Sequence, residues 1–402
     1  MAITKATSTQ EKPRWCQLTP SQQCVVVGIR NHGPLTREQL GQRLGWPASA
    51  ISREVSPLLA QKILFSDPPG LRRRKALLSN APTIGHVIGV EIGFEQVRAA
   101  LVDFNGKPVS QPKHYKPDNR TSEAFLRCVQ KVIRELLVQP QGKQAMGIGI
   151  GFADRASWNP VEAFSRDRPI LNTPSLGALI QSSFELPVAS RSDAACAALG
   201  EWRHGRLRNA QNGLFLLYEQ GIGLGIIASG RVVFGGWNDA GEIGHIPIDD
   251  DGEYCHCGNV GCLETIASAW SLQRMAKQIV DTGGQVGFRR VLTPKPQVDE
   301  LCEMAKAGDP LARNMLTKAG RAIGRALAIS ASLFDPEIIV LGGALSDSDT
   351  YQPLITSIRE AFQTLTAHRT PQPIKIETSA LGQDAIFLGA AELVFAELLR
   401  SD

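Results

Sequence analysis

The chain has 402 residues, 43% of them hydrophobic and 20% charged, with a formal net charge of +4. It is too long for one ordinary core and has the composition of a soluble globular protein of two or three domains. No run of eighteen apolar residues offers a membrane span, and Met1–Trp15 lacks the apolar stretch of a signal peptide. The expectation is therefore a cytoplasmic protein with no membrane partner. The charge is unevenly spread. Through Asn80 twelve Lys and Arg face four acids, a net +8, which leaves the rest of the chain at −4. A basic head on a mildly acidic body points to nucleic acid at one end and something else at the other.

In the head, Thr19 caps a helix with Pro20 at its first position. Apolar residues continue through Val25, Val26, Val27 and Ile29 until Asn31, His32, Gly33 and Pro34 stop it. Thr36 caps a second helix with Leu40 and Leu44 on its inner face. After the turn Gly45-Trp46-Pro47 a third starts at Ala48, with Ile51, Val55, Leu58 and Leu59 turned inward. Two short helices joined by a glycine-containing turn fit a helix-turn-helix. The expected recognition surface is Ser49, Ala50, Ser52 and Arg53. Small residues let the helix sink into a major groove, and Arg53 can reach a guanine edge or a phosphate.

Ile63–Phe65 and Ala76–Leu78 read as strands around Pro68-Pro69-Gly70 and the basic run Arg72, Arg73, Arg74 and Lys75. That is a wing whose tip would lie on the DNA backbone or in the minor groove. The plain alternative is a small helical domain with a solvated charge run. Pro57 is expected to kink the third helix unless that helix ends near Val55.

Between Gly241 and Glu264 the chain places His245, Cys255, Cys257 and Cys262 at the spacing H-x9-C-x-C-x4-C. Three thiolates and one imidazole this close together suit a closed, structural tetrahedral Zn²⁺ site. Gly252, Gly258 and Gly261 supply the sharp turns needed to aim them at one point. His256 is a rival for the fourth place; His245 is preferred because it closes a larger loop. Cys16, Cys24, Cys128, Cys196 and Cys302 read as small core residues. A disulfide or free thiols in the cluster are the alternative, although a Cys-x-Cys bridge would be strained.

After the Asn80-Ala-Pro-Thr linker, strands are expected at His86–Gly93, Val97–Asp103, Ala145–Phe152, Gly213–Tyr218, Gly225–Ala228 and Glu337–Leu341. Asn105-Gly106 makes a hairpin-type turn after the second. Helical stretches such as Pro310–Ser332 lie between them. This alternation argues an α/β chain with two sheet-containing lobes.

Gly241–Ser268 resembles the zinc-binding signature of the ROK family, which unites repressors and sugar kinases. Ser192-Asp193 and the residues to Glu201 resemble its catalytic Asn-Asp segment, and Gly221-Ile-Gly223-Leu-Gly225 its second phosphate loop. Gly342-Gly343-Ala344 resembles its nucleotide-binding turn, and Gly382–Leu399 its closing helix. The resemblance implies a winged helix-turn-helix followed by a two-lobed, actin-like (ribonuclease H-like) sugar kinase fold. The expected division is 1–80 for the head and 81–190 for a first lobe completed by 382–402. The second lobe, with the knuckle, covers 191–381. The resemblance further implies a sugar site between the lobes, with Asp193, Glu242, His245 and Glu264 accepting from ring hydroxyls and Asn172 a further candidate. In a kinase Asp193 would also take the proton of the attacking hydroxyl.

The phosphate loops depart from the family pattern. Where its kinases carry Asp-x-Gly-Gly-Thr, this chain has Glu91, Ile92, Gly93, Phe94 and Glu95; where they carry Gly-Thr-Gly, it has Glu219, Gln220 and Gly221. Carboxylates in a phosphate cradle repel a polyphosphate, and Ser192 replaces the usual Asn, so bound ATP and Mg²⁺ are not expected. The leading expectation is a regulator, most simply a repressor, that binds an operator in duplex DNA and senses a sugar or sugar phosphate. It is expected to be a homodimer or a dimer of dimers. Arg155, Arg166, Arg168 and Arg191 leave a phosphorylated effector open. The rivals are a working sugar kinase with an accessory head, and a regulator controlled by a protein partner.

Overall fold

The computed structural model describes residues 12–67, 75–119, 121–153, 173–282, 297–367 and 373–399. The head starts with a 3-10 turn at Arg14–Gln17, followed by α1 (Pro20–His32), α2 (Arg37–Leu44) and α3 (Ala48–Ala60). Local chemistry sets these ends. Thr19 with Gln22, and Thr36 with Gln39, form reciprocal capping boxes that satisfy backbone groups otherwise orphaned at a helix start. α3 does not stop at Val55. Pro57 sits exposed near its last turn, where one missing backbone hydrogen bond is tolerated, and the helix runs on to Ala60.

β1 (Leu64–Asp67) and β2 (Leu77–Asn80) pair antiparallel as the stem of the wing, Leu64 opposite Asn80 and Asp67 opposite Leu77. The tip, with Pro68, Pro69, Gly70, Arg72, Arg73 and Arg74, lies outside the described residues. Asn80-Ala-Pro-Thr is a packed joint and not a loose linker. Asn80 Nδ2 donates to the Val26 carbonyl at 2.9 Å, and Asn105 Nδ2 donates to the Asn80 carbonyl at 3.1 Å. Trp15 stacks on Phe104 with centroids 5.9 Å apart. The head's core residues Val25, Ile29, Leu40, Ile51 and Val55 run without a break into Phe104, Phe387 and Phe395.

The body holds two five-stranded sheets of one plan. β3 (His86–Ile92), β4 (Val97–Asp103) and β5 (Lys113–Tyr115) form an antiparallel meander. α4 (Ser122–Leu137) leads to β6 (Ala145–Phe152), and α5 (Thr173–Phe184) to β7 (Val188–Ser192), giving the order β5-β4-β3-β6-β7 with β3, β6 and β7 parallel. α6 (Asp193–His204) then leads to β8 (Gly213–Tyr218), β9 (Ile222–Ala228) and β10 (Arg231–Val232). A Cys- and Gly-rich knuckle follows, then α7 (Leu263–Ala267), α8 (Ala269–Asp281), α9 (Val298–Lys306) and α10 (Pro310–Phe334). The second sheet is completed by β11 (Ile338–Gly343), α11 (Gln352–Thr366) and β12 (Lys375–Thr378), in the order β10-β9-β8-β11-β12. α12 (Ala385–Leu398) closes the chain's described part. β3 and β8 are buried at every position, as expected of largely apolar strands covered on both faces; His86 and Glu91 are the polar exceptions on β3.

The layer between the sheets positions everything that follows. α12 packs on β3 and β6, α6 packs on β9, and the two helices pack on each other. Glycine makes this spacing possible. A β-carbon on Gly149 would run into the Ala390 carbonyl, one on Gly225 into the Ala194 carbonyl, and one on Gly389 into the Cys196 carbonyl. The outcome is a sheet–helix–helix–sheet stack, two α/β lobes with a cleft between them.

Candidate functional site

A cleft of about 300 Å³ opens between the lobes at the N-terminal end of α6. Its first wall is the β3–β4 turn with Gly93, Phe94 and Glu95, joined by Lys116 just past β5. The facing wall is the β8–β9 turn with Glu219, Gln220 and Gly221, together with Glu242 and the 3-10 turn Ile243–His245. Asp193 opens α6 at the cleft, its Oδ1 accepting the Ala194 N–H at 2.7 Å, while Ser192 caps the helix by accepting from Ala195. Glu264, in the first turn of α7, has its two oxygens divided. Oε1 accepts the Ile222 N–H at 2.8 Å, and Oε2 stands 4.0 Å from His256 Nε2 at the cleft wall. The fold thus brings Asp193, Glu242, His245 and Glu264 to one cavity. Asn172, with Arg155, Arg166 and Arg168, lies outside the described residues. Arg191 points elsewhere: its guanidinium lies over the Phe234 ring, 4.8 Å from the centroid.

The far end of the cleft is acidic. Glu91 on β3 is 8% exposed and pairs with Arg98 at 3.0 Å, which also reaches Asp384 at 2.7 Å and the Gln383 carbonyl. Burial raises the Glu91 pKa to about 7 against the pull of Arg98. Glu219 as a residue is exposed to solvent, while its carboxyl end lies against the Gly343 turn and the cleft walls. That desolvation, followed by negative Glu91 and Asp193, raises its pKa to about 8. Glu219 lies so close to the turn after β11 that a β-carbon on Gly343 would come within 2.8 Å of its Oε1.

Beside the cleft, the donor atoms of His245, Cys255, Cys257 and Cys262 all lie within 4.8 Å of one another. Cys257 Sγ is 3.6 Å from Cys262 Sγ, and His245 Nδ1 is 3.6 Å from Cys255 Sγ. A zinc tetrahedron with thiolate bonds of about 2.3 Å has edges of about 3.7 Å, so the group has the right size and donor chemistry for that ion. Gly258 and Gly261, at φ 101° and 66°, supply backbone turns that other residues resist. His256 Nδ1 is farther out, 3.9 Å from Cys255 Sγ. A second set of His245, His256 and Glu264 is also within metal-ligand reach, sharing His245 with the first.

On the head, Ser49, Ser52 and Arg53 are exposed along α3, and Ala50 is half-buried. The Arg53 side chain is 77% exposed and rests on Glu54 at 3.1 Å. Lys75 is exposed at the foot of β2. These positions leave a basic, small-residue face open to solvent.

Two lobes of repeated α/β plan, a central cleft and a winged helix-turn-helix at one end define an actin-like sugar kinase frame joined to a helix-turn-helix head. The chain belongs to the ROK family, which it matches over residues 87–397. It is 26% identical to the N-acetylglucosamine repressor of Escherichia coli O6:H1, across 86% of each chain. A ROK family glucokinase from Streptomyces griseus, solved in complex with glucose and AMPPNP, is 28% identical with a TM-score of 0.63. That likeness covers 77% of this chain and 99% of the kinase. A ROK family transcriptional regulator, a homolog of the E. coli MLC protein, shares the fold at a TM-score of 0.73 and 24% identity. It spans 94% of this chain and 96% of its own.

Two residues at or behind the cleft have no motif to announce them. Lys116 reaches it from past an edge strand, and Arg98 bridges Glu91 to Asp384 from the strand behind. Only the alternation of β4, which places a charged side chain in an otherwise apolar run, hints at Arg98.

Proposed function

We propose that this chain is a transcriptional repressor whose operator binding responds to a sugar held between the lobes, and that its kinase frame no longer transfers phosphate. The observation that carries this reading is the contrast within one cleft. Acids suited to sugar hydroxyls (Asp193, Glu242, Glu264) line it beside His245, while the phosphate loops carry Glu95 and Glu219. A carboxylate laid against the Gly343 turn takes the space and opposes the charge of a nucleotide phosphate. The relative named as a repressor supports the same direction, and the family's kinases are the alternative.

In this reading zinc is structural. His245, Cys255, Cys257 and Cys262 would hold it with no open position, and the second nitrogen of His245 would orient toward the sugar. Ser49, Ala50, Ser52 and Arg53 would enter the major groove, with Lys75 and Arg72 to Arg74 on the backbone. A homodimer would present two such helices to paired half-sites. The test is an operator selected from random duplex DNA, with affinity measured against free and phosphorylated hexoses, hexosamines and pentoses. One sugar should change operator affinity, with no ADP released from Mg-ATP. Sugar-dependent ADP release that Asp193→Ala abolishes would instead establish a kinase.

A further inference from the structure

We infer that the paired helices α6 and α12 carry the signal from the ligand cleft to the DNA-binding head, with Arg30 and Glu392 as the coupling contact. This rests on the reading of the chain as a sugar-responsive regulator. Both helices touch both ends of the path. α6 begins with Asp193 in the cleft and ends with Arg203 and His204 in a second, larger groove between head and body. α12 places Ile386 in the cleft and Glu392 in that groove. At 1.5 Å per residue, Asp193 to His204 spans about 17 Å of helix axis.

The contacts of the head with these helices centre on one buried carboxylate. Glu392, 1% exposed, is shared by Arg30 of α1 at 2.7 Å, His204 at 2.8 Å and Arg203 at 3.5 Å. Burial would push its pKa up; Arg30 and then His204 outweigh that and hold it well below the ordinary carboxylate value. Arg30 is fixed from other sides as well. Its Nε donates to the Phe104 carbonyl at 2.9 Å, and its guanidinium lies 4.2 Å from the Phe395 ring centroid. Arg203 reaches past Glu392 to Asn31 Oδ1 at 3.0 Å, touching the last turn of the same head helix.

A buried ion pair adds little stability over a well-packed apolar replacement, but separating its partners strands a charge. Such a contact favours one docking geometry of the head and penalises others. The stack behind it has no slack, since carbonyl oxygens of α6 and α12 already press on Gly389, Gly200 and Gly149. A ligand that draws the cleft walls onto Asp193 therefore acts on a helix whose other end is Arg203 and His204. The displacement arrives at α1, which packs on both α2 and α3.

The experiment uses the full chain, with N-acetylglucosamine, glucose and xylose as probes at saturation. The wild type should change operator affinity about fivefold or more with one of them, the lower range of allosteric coupling. Arg30→Met and Arg203→Gln should reduce that change to less than about twofold, while calorimetric sugar affinity stays within about threefold. Arg30→Met leaves buried Glu392 with His204 and Arg203 but without its partner from the head and can unfold the head, so Arg203→Gln, at a side chain 22% exposed, decides the outcome. Hydrogen exchange in the same samples should show a sugar-dependent change over residues 20–32 in the wild type and none in Arg203→Gln. Folded variants that keep the full sugar effect overturn the coupling contact. A wild type that gives no sugar effect with any probe overturns the regulator reading, and this inference with it.

Discussion

Replacing Glu264 by glutamine separates the two roles of one carboxylate. Oε1 holds the Ile222 N–H at 2.8 Å and so fixes the start of β9; Oε2 stands at the cleft wall. Glutamine has the same shape, and its carbonyl oxygen keeps the bond to Ile222 while its NH₂ turns to the cleft. A hydrogen bond to a charged group contributes about 1.5–3 kcal/mol and a neutral one about 0.5–1.5, so each affected bond weakens by about 1 kcal/mol. At the backbone this lowers the melting temperature by no more than about 2–4 °C. In the cleft a sugar hydroxyl that donated to a carboxylate would meet an NH₂ group, which can only donate, and a loss of about 1.4 kcal/mol is tenfold in affinity. Glu264→Ala should lose sugar binding as well, and in addition orphan the Ile222 N–H, giving the larger thermal shift. Calorimetry with the sugar and differential scanning fluorimetry read the two effects separately. Wild-type sugar affinity in Glu264→Gln would refute the ligand role and leave Glu264 a structural residue only.

Metal analysis should find about one zinc per chain, and stripping it or making Cys262→Ser should lower sugar affinity and thermal stability together, because the fold around such a site depends on the ion. A chelated protein that binds sugar normally would remove zinc from the site's support. A second outcome concerns pH. Glu91 and Glu219 have folded pKa values raised from 4.5 to about 7 and about 8, so the folded state holds more protons than the unfolded one. Their contribution is full below about pH 4.5 and is lost as pH rises toward about 8. For Glu91 alone the change amounts to about 3 kcal/mol. Glu219→Gln should flatten the fall in urea-unfolding free energy between about pH 5 and pH 8; an unchanged slope would contradict the desolvated carboxyl.

Much of the head could be read because its signals are local. Thr19-Pro20 and Thr36 cap helices within a single turn, and the apolar spacing of Ile51, Val55 and Leu58 needs only one helix face. Pro57 marks the limit of such local signals, since a proline in the last turn does not by itself end α3, which runs on to Ala60. The cleft acids and the metal donors were legible through spacing and family resemblance. The contacts that position them were not. Arg98 finds Asp384 across 286 positions, and Arg30 finds Glu392 across 362. No periodicity records such pairs, because they arise only when the last helix folds back between the lobes. The joint at Asn80 is hidden likewise: a polar residue two positions before a proline reads as a linker until Val26 and Asn105 are seen to hold it.

The continuous core from α1 through Phe104 to Phe395 bears on how such a protein can be rearranged. The body carved out on its own would expose the faces of Phe104 and Phe395 and leave Glu392 without its arginine from the head. A foreign head grafted at residue 80 would have to reproduce Trp15 and Arg30 as well as read its own operator. In this chain the head and the two lobes therefore share one core, and a change of head that spares this packing is confined to the outer face of α3.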